Sequence, residues 1–437
     1  MLMQDREPPH ALAAPRHDGV PTLNKVVLAY SGGLDTSVAV AWLREQFDVE
    51  VVTLTVDVGG GSLRPGAAKR ALSAGASRAY VVDARRRFVE DFVWPALQAG
   101  AMYQGAYPLA TALARPLIAQ LLVDVAHGCT GKGNDQVRFD VAVKSLDGRL
   151  EVVAPMRVGM GMSRDQEIEY AHEREIEIPV THASPYSVDV NLWGRSVETG
   201  VLEDPWVTPP ADAYAWTVAP SDAPPPVEVT IEFDAGVPVS IDGRALDPVE
   251  LVETLNGLGG SHGVGRIDHV EDRLVGIKSR EIYEAPAAVV LHGAHRALEG
   301  LTLAKDQLRF GRIVADEVAQ ATYDGLWFTQ LQRNLRALVA ATQQAVSGEV
   351  KVNLDHGTAA IAGRRSPNSL YDRALATYDA GDAFDHASAV GFISIFGLPL
   401  RTEAARIRKG GGAPARSLDG LPVEIVDPEV AATAVGV

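Results

Sequence analysis

The strongest constraint on this chain is a short turn that joins an apolar strand to a helix near the amino terminus. Residues 25–37 read KVVLAYSGGLDTS, so an apolar run passes through a serine–glycine–glycine turn into a helical segment. Ser31, Gly32 and Gly33 carry no bulk, so backbone N–H groups and the positive end of the helix can face an anion. Thr36 and Ser37 add hydroxyl donors. The turn lacks the lysine of the GxxxxGKS/T loop and the spacing of the GxGxxG turn, and it predicts a phosphate site of another kind.

Strand-like and helix-like segments alternate after this turn. Residues 26–29, 50–55 and 78–82 are predicted strands, and residues 37–46 and 66–74 are the predicted helices between them. This alternation is typical of an α/β fold with a parallel sheet. Ligands of such sheets bind outside the carboxyl ends of the strands, where Ser31 and the turn at residues 57–61 both fall.

The pattern then predicts further helices and a second glycine-rich turn. Helices are expected at residues 88–100 and 113–120, and a strand is expected at residues 122–126. That strand would deliver the turn at residues 127–136, which reads HGCTGKGNDQ.

A second domain is predicted past residue 179, where prolines become frequent. Residues 227–233 and 237–241 alternate as an antiparallel hairpin does, and residues 315–347 predict one long helix. The predicted divisions are a tail at 1–24, a nucleotide-binding domain at 25–180, an α+β domain at 181–400 and a C-terminal tail at 401–437.

Composition limits the partners and the compartment. A formal net charge of −16 makes a nucleic-acid partner unexpected, because a broad acidic field repels phosphate backbones. A single cysteine, Cys129, leaves no internal disulfide and fits a reducing cytoplasm. No apolar run approaches the roughly 18 residues that a membrane span needs, and the first twenty residues have no apolar core typical of a signal peptide.

Six sequence blocks together resemble one family of ligases. They are AYSGGLDTS at 29–37, MYQGAYPL at 102–109, HGCTGKGNDQVRF at 127–139, NLWGRSVETGVLEDPW at 191–206, HGVGRIDHVEDRLVGIKSREIYEAP at 262–286 and RRSPNSLYDRALATY at 364–378. In this order the blocks resemble the argininosuccinate synthase family. The resemblance implies an ATP-pyrophosphatase-type nucleotide-binding domain and a synthetase and multimerisation domain. It also implies a reaction in which ATP adenylates the ureido oxygen of citrulline and aspartate then displaces AMP.

The resemblance implies a role for individual residues at the matching positions. ATP is expected on Ala29, Tyr30, Ser31, Gly32, Gly33, Leu34, Asp35, Thr36, Ser37, Val56 and Gly128. Aspartate is expected on Thr130, Asn134 and Asp135. Citrulline is expected on Tyr107, Asn134, Arg138, Ser187, Ser196, Glu271 and Tyr283. Arg138 would bind its α-carboxylate and Glu271 its α-ammonium. Ser31, Asp35 and Arg138 are the implied catalytic residues, Mg²⁺ would bridge the phosphates, and the family assembles as a homotetramer.

Two departures from the family pattern leave alternatives open. Ala110 and Ala112 stand where a glycine and a substrate-facing serine are usual, and Val190 stands where an acidic residue is usual. The connection between Leu113 and His127 is also several residues shorter. One alternative is therefore a paralogue that adenylates a different ureido or amide compound. The other is a catalytically silent relative that still binds nucleotide.

Overall fold

The structure is a computed structural model of the 437-residue chain. It describes residues 25–123, 134–150, 152–153, 155, 160–178, 186–379 and 381–411. The Cα positions group into two compact units, Met1–Leu370 and Tyr371–Val437. None of the helices in the described ranges is long and apolar enough to cross a membrane.

The first unit contains most of the regular structure. Its first half has β1 (Lys25–Ala29), α1 (Leu34–Phe47), β2 (Glu50–Asp57), α2 (Ala67–Ser73), β3 (Arg78–Asp83), α3 (Arg85–Phe88), a π-helical turn (Val89–Val93), α4 (Trp94–Gln98), α5 (Ala110–Leu122), α6 (Asn134–Leu146) and α7 (Arg164–Glu173). Its second half has β4 (Ser187–Asn191), β5 (Gly194–Glu198), β6 (Val227–Asp234), β7 (Val237–Ile241), β8 (Arg244–Ala245), α8 (Pro248–Ser261), β9 (Arg266–Asp272), β10 (Lys278–Glu284), α9 (Pro286–Thr302), α10 (Lys305–Tyr323), α11 (Gln330–Gln343), β11 (Gly348–Asp355) and β12 (Thr358–Arg365).

The predicted parallel sheet is confirmed, in the order β1-β2-β3. Strand register places Ala29 beside Leu54 and Leu28 beside Thr53. Because successive side chains point to opposite faces, Leu54 packs towards α5 and α6 whereas Leu28 packs towards α1 and α7. Covering helices on both faces explain why β1 and β2 read as nearly continuous apolar runs.

Two antiparallel sheets complete the first unit. One has the order β4-β5-β10-β9 and the other has the order β12-β11-β6-β7-β8. The predicted hairpin of β6 and β7 is confirmed in the second of these sheets. Its inner residues, such as Phe233 and Val350, are buried in one core with Leu291 and Leu298 of α9.

Two predicted elements are wrong in detail. Leu122, expected to begin a strand, is the last residue of α5, where it packs with Phe139 and Val143 of α6. Residues 124–126 of that strand lie outside the described ranges. Asn134 to Gln136, expected in a turn, form the first turn of α6. A leucine-rich run satisfies a helix and a buried strand equally well, so tertiary packing decided between them.

The single helix predicted at residues 315–347 is also wrong. The structure has α10 and α11 there, because Gly325 adopts φ +79° and Thr329 caps the second helix at the backbone N–H of Gln332. Trp327 lies between the two helices and stacks on Phe92 with ring centroids 5.1 Å apart. Leu331 is 55% exposed, so the apolar spacing was not one continuous stripe.

The second unit consists of three helices in the described residues. They are α12 (Arg373–Ala376), α13 (His386–Phe396) and α14 (Leu398–Lys409). Residue 400, where the tail division was predicted, falls inside α14. The domain boundaries at residues 180 and 400 stay predictions.

At Gly60 the turn after β2 closely approaches the backbone of the β4-β5 hairpin. We expect a side chain at this position to lower the free energy of unfolding. A Cβ on Gly60 would lie 2.4 Å from the carbonyl oxygen of Asn191, whereas a Cβ on Gly61 meets nothing within 4 Å. Both glycines have positive φ, +67° and +85°, so both Gly60→Ala and Gly61→Ala carry similar backbone strain. Gly60→Ala should lower the free energy of unfolding by about 2 kcal/mol more than Gly61→Ala in urea titrations. Equal losses would contradict this prediction.

Candidate functional site

The first glycine-rich turn forms a compact set of hydrogen bonds at the end of β1. The Gly33 N–H donates to Ser31 Oγ at 3.3 Å, and Ser31 Oγ is 3.2 Å from Thr36 Oγ1. Ser37 Oγ donates to the Gly33 carbonyl at 2.7 Å. Gly33 is the N-cap of α1 with no side-chain cap in the described residues, so the first N–H groups of this 14-residue helix point towards the turn. Ser31 and Asp35 are exposed.

An arginine that the sequence interpretation missed also reaches this turn. Arg70 of α2 donates from Nε to the Gly32 carbonyl at 3.3 Å and from Nη1 to the Pro65 carbonyl at 2.7 Å. No acidic side chain pairs with Arg70 within the described ranges. Gly32 has φ +75°, and a Cβ there would lie 2.9 Å from Arg70 Nη2. The turn thus gains a guanidinium charge from another helix, although it contains no lysine.

The turn at residues 57–61 lies at the carboxyl end of β2 and contacts the β4-β5 hairpin. Asp57 Oδ1 accepts from the Gly59 N–H at 2.9 Å, and the Leu192 N–H donates to the Val58 carbonyl at 2.9 Å. The carboxyl edge of the parallel sheet therefore adjoins the antiparallel sheet that carries most predicted citrulline residues. Val56, also predicted for ATP, is in β2.

Four predicted citrulline residues lie on one face of the β4-β5-β10-β9 sheet. Ser196 is paired with Asp189 on one side and Tyr283 on the other, and Tyr283 is paired with Ile267. Since residues two apart along a strand share a face, Ser187 of β4 and Glu271 of β9 also belong to this face. Strand pairing thus brings together side chains that are far apart in the sequence.

Tyr107 packs onto the same face. Its ring stacks on Tyr283 with centroids 4.3 Å apart, and its hydroxyl oxygen accepts from the Thr111 N–H at 2.9 Å. Burial raises the pKa of Tyr107 well above its usual value. Ala110 and Ala112 flank this contact and are both buried.

Glu271 is a buried carboxylate whose hydrogen-bond partners among the described residues are neutral. Its two oxygens accept from the hydroxyls of Tyr283 and Tyr323, each at 2.6 Å. Its residue is 3% exposed, and no basic side chain pairs with it in the part of the chain that the structure describes. Burial is also the main reason why the pKa values of Tyr283 and Tyr323 are raised, so both hydroxyls keep their protons and remain donors.

Arg138 is a buried guanidinium whose described neighbours leave one of its nitrogens unpaired. Its Nε donates to the Tyr323 carbonyl at 2.7 Å, and its Nη1 donates to Asp135 Oδ1 at 3.1 Å. Its Nη2 is buried with no hydrogen-bond partner among the described residues. Asp135 Oδ2 accepts from Arg115 Nη2 at 2.6 Å. Burial would raise the pKa of Asp135, but the charges of Arg115 and Arg138 outweigh it and lower that pKa.

Asn134 connects the start of α6 with the tyrosine cluster. Its Oδ1 accepts from the Leu274 N–H at 2.9 Å, and its Nδ2 donates to the Tyr323 hydroxyl at 2.8 Å. Gly128 and Thr130, predicted for ATP and aspartate, lie outside the described residues. The described residues also contain no group of three His, Cys, Asp or Glu side chains that could hold a metal ion.

The sequence interpretation missed three side chains of this cluster. Arg115 lies in α5, within residues 113–116, which read LARP. Asp189 lies two residues after Ser187 in β4, and Tyr323 is the last residue of α10. Arg115 Nη2 contacts Asp135 and also Asp189. A charged residue inside the alanine-rich α5 was a signal for Arg115, since such a charge needs a partner when buried. Tyr323 had no comparable signal, because one tyrosine at a helix end is ordinary.

Comparison with known proteins assigns both halves of the chain to one family. The family model "Arginosuccinate synthase N-terminal HUP domain" matches residues 25–177, and "Arginosuccinate synthase C-terminal domain" matches residues 186–403. The argininosuccinate synthase of Dehalococcoides mccartyi is 52% identical over 391 residues, which cover 87% of this chain and 96% of that protein. Those of Oceanobacillus iheyensis and Gloeobacter violaceus are 51% and 54% identical, over 92% and 88% of this chain and 98% and 99% of theirs.

The chain belongs to the argininosuccinate synthase family. Argininosuccinate synthases are AMP-forming carbon–nitrogen ligases, and the fold and enzyme class predicted from the sequence are confirmed. The HUP model covers the parallel sheet and the first turn. The C-terminal model covers the sheet face that carries Glu271 and Tyr283.

This member of the family has a second buried carboxyl group on that sheet face. Glu281 is opposite His269 in the β10-β9 ladder, and Arg273 Nη2 donates to it at 2.9 Å. The same Nη2 contacts Glu198. Burial, followed by the charges of Glu198 and Glu271, raises the pKa of Glu281 to about 9. Glu281 therefore keeps its proton to a higher pH than an exposed carboxyl group does.

We predict a pH-dependent gain of stability in Glu281→Gln. A carboxyl group whose pKa is raised on folding stabilises the fold fully only below its unfolded pKa of about 4.3, and that contribution is lost as pH rises through the folded pKa. Between pH 5 and pH 8 the free energy of unfolding of Glu281→Gln should therefore rise relative to the unaltered chain by at least about 1.4 kcal/mol.

Chemical denaturation at several pH values measures this difference. Glu169→Gln is the matched control, because Glu169 is exposed on α7 and its substitution should give no such trend. A difference for Glu281→Gln that does not change with pH would contradict the prediction.

Proposed function

We propose that this chain joins citrulline to aspartate with ATP, with argininosuccinate, AMP and pyrophosphate as products. The observation that carries the proposal is a pair of unmatched buried charges. Glu271 contacts only neutral donors, and Arg138 Nη2 contacts no acceptor, among the described residues. An α-amino acid supplies an ammonium group for the first and a carboxylate for the second. Both groups contact Tyr323, Glu271 at its hydroxyl and Arg138 at its carbonyl, and we propose that one ligand head group binds both.

ATP is proposed on the turn at residues 29–37. The free N–H groups at the start of α1 and the hydroxyls of Ser31 and Thr36 suit a phosphate chain, and the Arg70 guanidinium adds positive charge at Gly32. Mg²⁺ is proposed as part of the MgATP substrate, held mostly by phosphate oxygens and water, with Asp35 exposed at the same turn. Gly128 remains a proposed ATP contact from the family pattern.

Aspartate is proposed next to the ureido amino acid, on Thr130, Asn134 and Asp135. Asp135 already accepts from Arg115 and Arg138, but a carboxylate has about four acceptor sites and can also receive an ammonium group. The second amide hydrogen of Asn134 is available for a substrate carboxylate. Ser187, Ser196, Tyr107 and Tyr283 are proposed to line the ureido side chain.

The proposed reaction has two displacement steps. In the first, the ureido oxygen attacks the α-phosphorus of ATP, the bond to the β-phosphate oxygen breaks, and pyrophosphate leaves. In the second, the aspartate amine attacks the ureido carbon and releases a proton, and AMP leaves with the former ureido oxygen. Neither step needs a protein nucleophile, so the residues of this chain act by positioning the reactants and by neutralising charge.

Ala110 and Ala112 favour a second candidate function. They remove a hydroxyl from the segment around Tyr107, and the lost hydrogen bond would weaken binding of the usual substrate by about 1.5–3 kcal/mol if that hydroxyl bound a charged group. A paralogue that couples another ureido acid to aspartate would not need it. Glu271 and Arg138 are both present, so the substrate of such a paralogue would still need an α-amino acid head group.

Pyrophosphate release tests the proposal and separates it from the alternatives. We expect release from MgATP when aspartate is present and citrulline is added, with argininosuccinate detected by mass spectrometry. Glu271→Gln should reduce kcat/KM for citrulline at least 100-fold, because the counter-charge of the ammonium is lost. Asp272→Asn is the control. The side chain of Asp272 is half exposed and pairs with Lys278, so its substitution should leave kcat/KM within about twofold.

The outcomes distinguish three functions. Release only with another ureido acid would contradict citrulline as substrate and support the paralogue. No release with any ureido acid, together with retained ATP binding, would support a catalytically silent relative.

We also propose that the chain assembles as a homotetramer in the cytoplasm and serves arginine biosynthesis. The described second unit exposes a nearly continuous set of large apolar side chains, among them Val390, Phe392, Ile393, Ile395, Phe396 and Leu400, each at least 65% exposed. A soluble monomer seldom exposes a patch of this kind, and further copies of the same chain fit it through closed symmetry. The single cysteine is consistent with a reducing compartment.

Disruption of the α13 surface should therefore dissociate the assembly. Phe392 and Phe396 stack with centroids 5.4 Å apart, and Phe392→Glu with Phe396→Glu places two charges in the apolar surface. We expect light scattering to give a tetramer for the unaltered chain and smaller species for the double variant. Lys409→Glu, an exposed change at the end of α14, should leave the tetramer intact. A double variant of unchanged mass would contradict this assembly surface.

A further inference from the structure

Tyr323 contacts three of the residues proposed to bind the amino acids. Its hydroxyl donates to Glu271 Oε1 at 2.6 Å and accepts from Asn134 Nδ2 at 2.8 Å, and its carbonyl accepts from Arg138 Nε at 2.7 Å. We propose that Tyr323 is the positioning residue that aligns Glu271 and Arg138 with the ammonium and carboxylate of one amino acid. This inference rests on the proposed function and extends it to a residue outside the predicted site.

The hydrogen bonds around the Tyr323 hydroxyl have only one consistent direction. The Leu274 N–H donates to Asn134 Oδ1, which leaves the Asn134 amide N–H groups to donate to the Tyr323 oxygen. The tyrosine proton must then go to Glu271, because an ionised carboxylate only accepts. Each bond polarises the next, so the chain of bonds holds the Glu271 carboxylate oriented. The same bonds also link Asn134, proposed to bind aspartate, to Glu271, proposed to bind the ureido amino acid.

The backbone of Tyr323 orients the guanidinium from the other side. The Arg138 Nε–H bond to the Tyr323 carbonyl and the Nη1 bond to Asp135 leave Nη2 as the free donor. The Arg138 guanidinium carbon lies 4.6 Å from the centroid of the Tyr323 ring, which adds a cation–π contact. Gly325 makes this approach feasible, since a Cβ there would lie 2.7 Å from Arg138 Cα.

The ring of Tyr323 is itself fixed. It stacks on Tyr103 with centroids 3.6 Å apart and planes 7° apart, and the residue is 1% exposed. The Tyr103 hydroxyl donates elsewhere, to the Asp272 carbonyl at 2.8 Å. The two stacked tyrosines therefore differ in one respect that matters here. The Tyr323 hydroxyl bonds to the Glu271 carboxylate, whereas the Tyr103 hydroxyl does not.

This difference gives an experiment with a matched control. Tyr323→Phe keeps the ring, the stack and the backbone carbonyl but removes the proton donor to Glu271. The measurement is the ratio of kcat/KM for citrulline to kcat/KM for its analogue with hydrogen in place of the α-amino group. We expect Tyr323→Phe to lower this ratio about tenfold or more, because a misaligned Glu271 no longer favours the ammonium group. We expect Tyr103→Phe to leave it within about twofold.

The ratio separates positioning from general damage to the fold. A merely structural defect would lower both kcat/KM values equally and leave the ratio unchanged, and that result would overturn the role of Tyr323. KM for ATP should stay the same in both variants, because the phosphate turn does not contact Tyr323. Failure of the proposed function has a different result, namely no citrulline-dependent pyrophosphate release by the unaltered chain.

Discussion

The buried carboxylate of Glu271 is the constraint on which the amino acid site depends. Burying an ionised carboxylate costs several kcal/mol unless hydrogen bonds or a counter-charge replace water. Here two tyrosine hydroxyls replace part of that hydration, and each hydroxyl sits on a ring held by stacking, Tyr283 on Tyr107 and Tyr323 on Tyr103. The aromatic stacks thus serve an electrostatic purpose. They hold neutral donors in place beside a carboxylate that has no cationic partner among the described residues.

A second constraint brings the turn after β2 to the same antiparallel sheet. The turn after β2 approaches the β4-β5 hairpin so closely that the Gly60 position has no room for a side chain, and the Leu192 N–H bonds across to the Val58 carbonyl. The carboxyl edge of the parallel sheet therefore adjoins the polar face of an antiparallel sheet. A reaction that transfers an adenylyl group to an amino acid side chain needs this adjacency, since positioning supplies much of its rate.

The sequence predicted the parallel sheet, the first glycine-rich turn, the hairpin of β6 and β7 and the family. These features depend on local patterns, such as β-branched runs and glycines at a strand-to-helix turn, or on sequence blocks that are themselves contiguous. The prediction was wrong at Leu122 and across residues 315–347. At both places an apolar pattern was compatible with two local structures, and the choice was made by contacts with α6 and by the turn at Gly325.

By itself the sequence determined that a glycine-rich turn precedes a helix and that Arg138, Glu271 and Tyr283 belong to blocks typical of one ligase family. Tertiary structure alone decided which side chains meet. Strand register put Ser187, Ser196, Glu271 and Tyr283 on one face, and the end of α10 brought Tyr323 between Glu271 and Arg138. Packing of α2 likewise brought Arg70 to the Gly32 carbonyl in the first glycine-rich turn. A hydrogen bond between distant residues leaves no periodic trace in either segment, because its geometry depends on how whole elements pack.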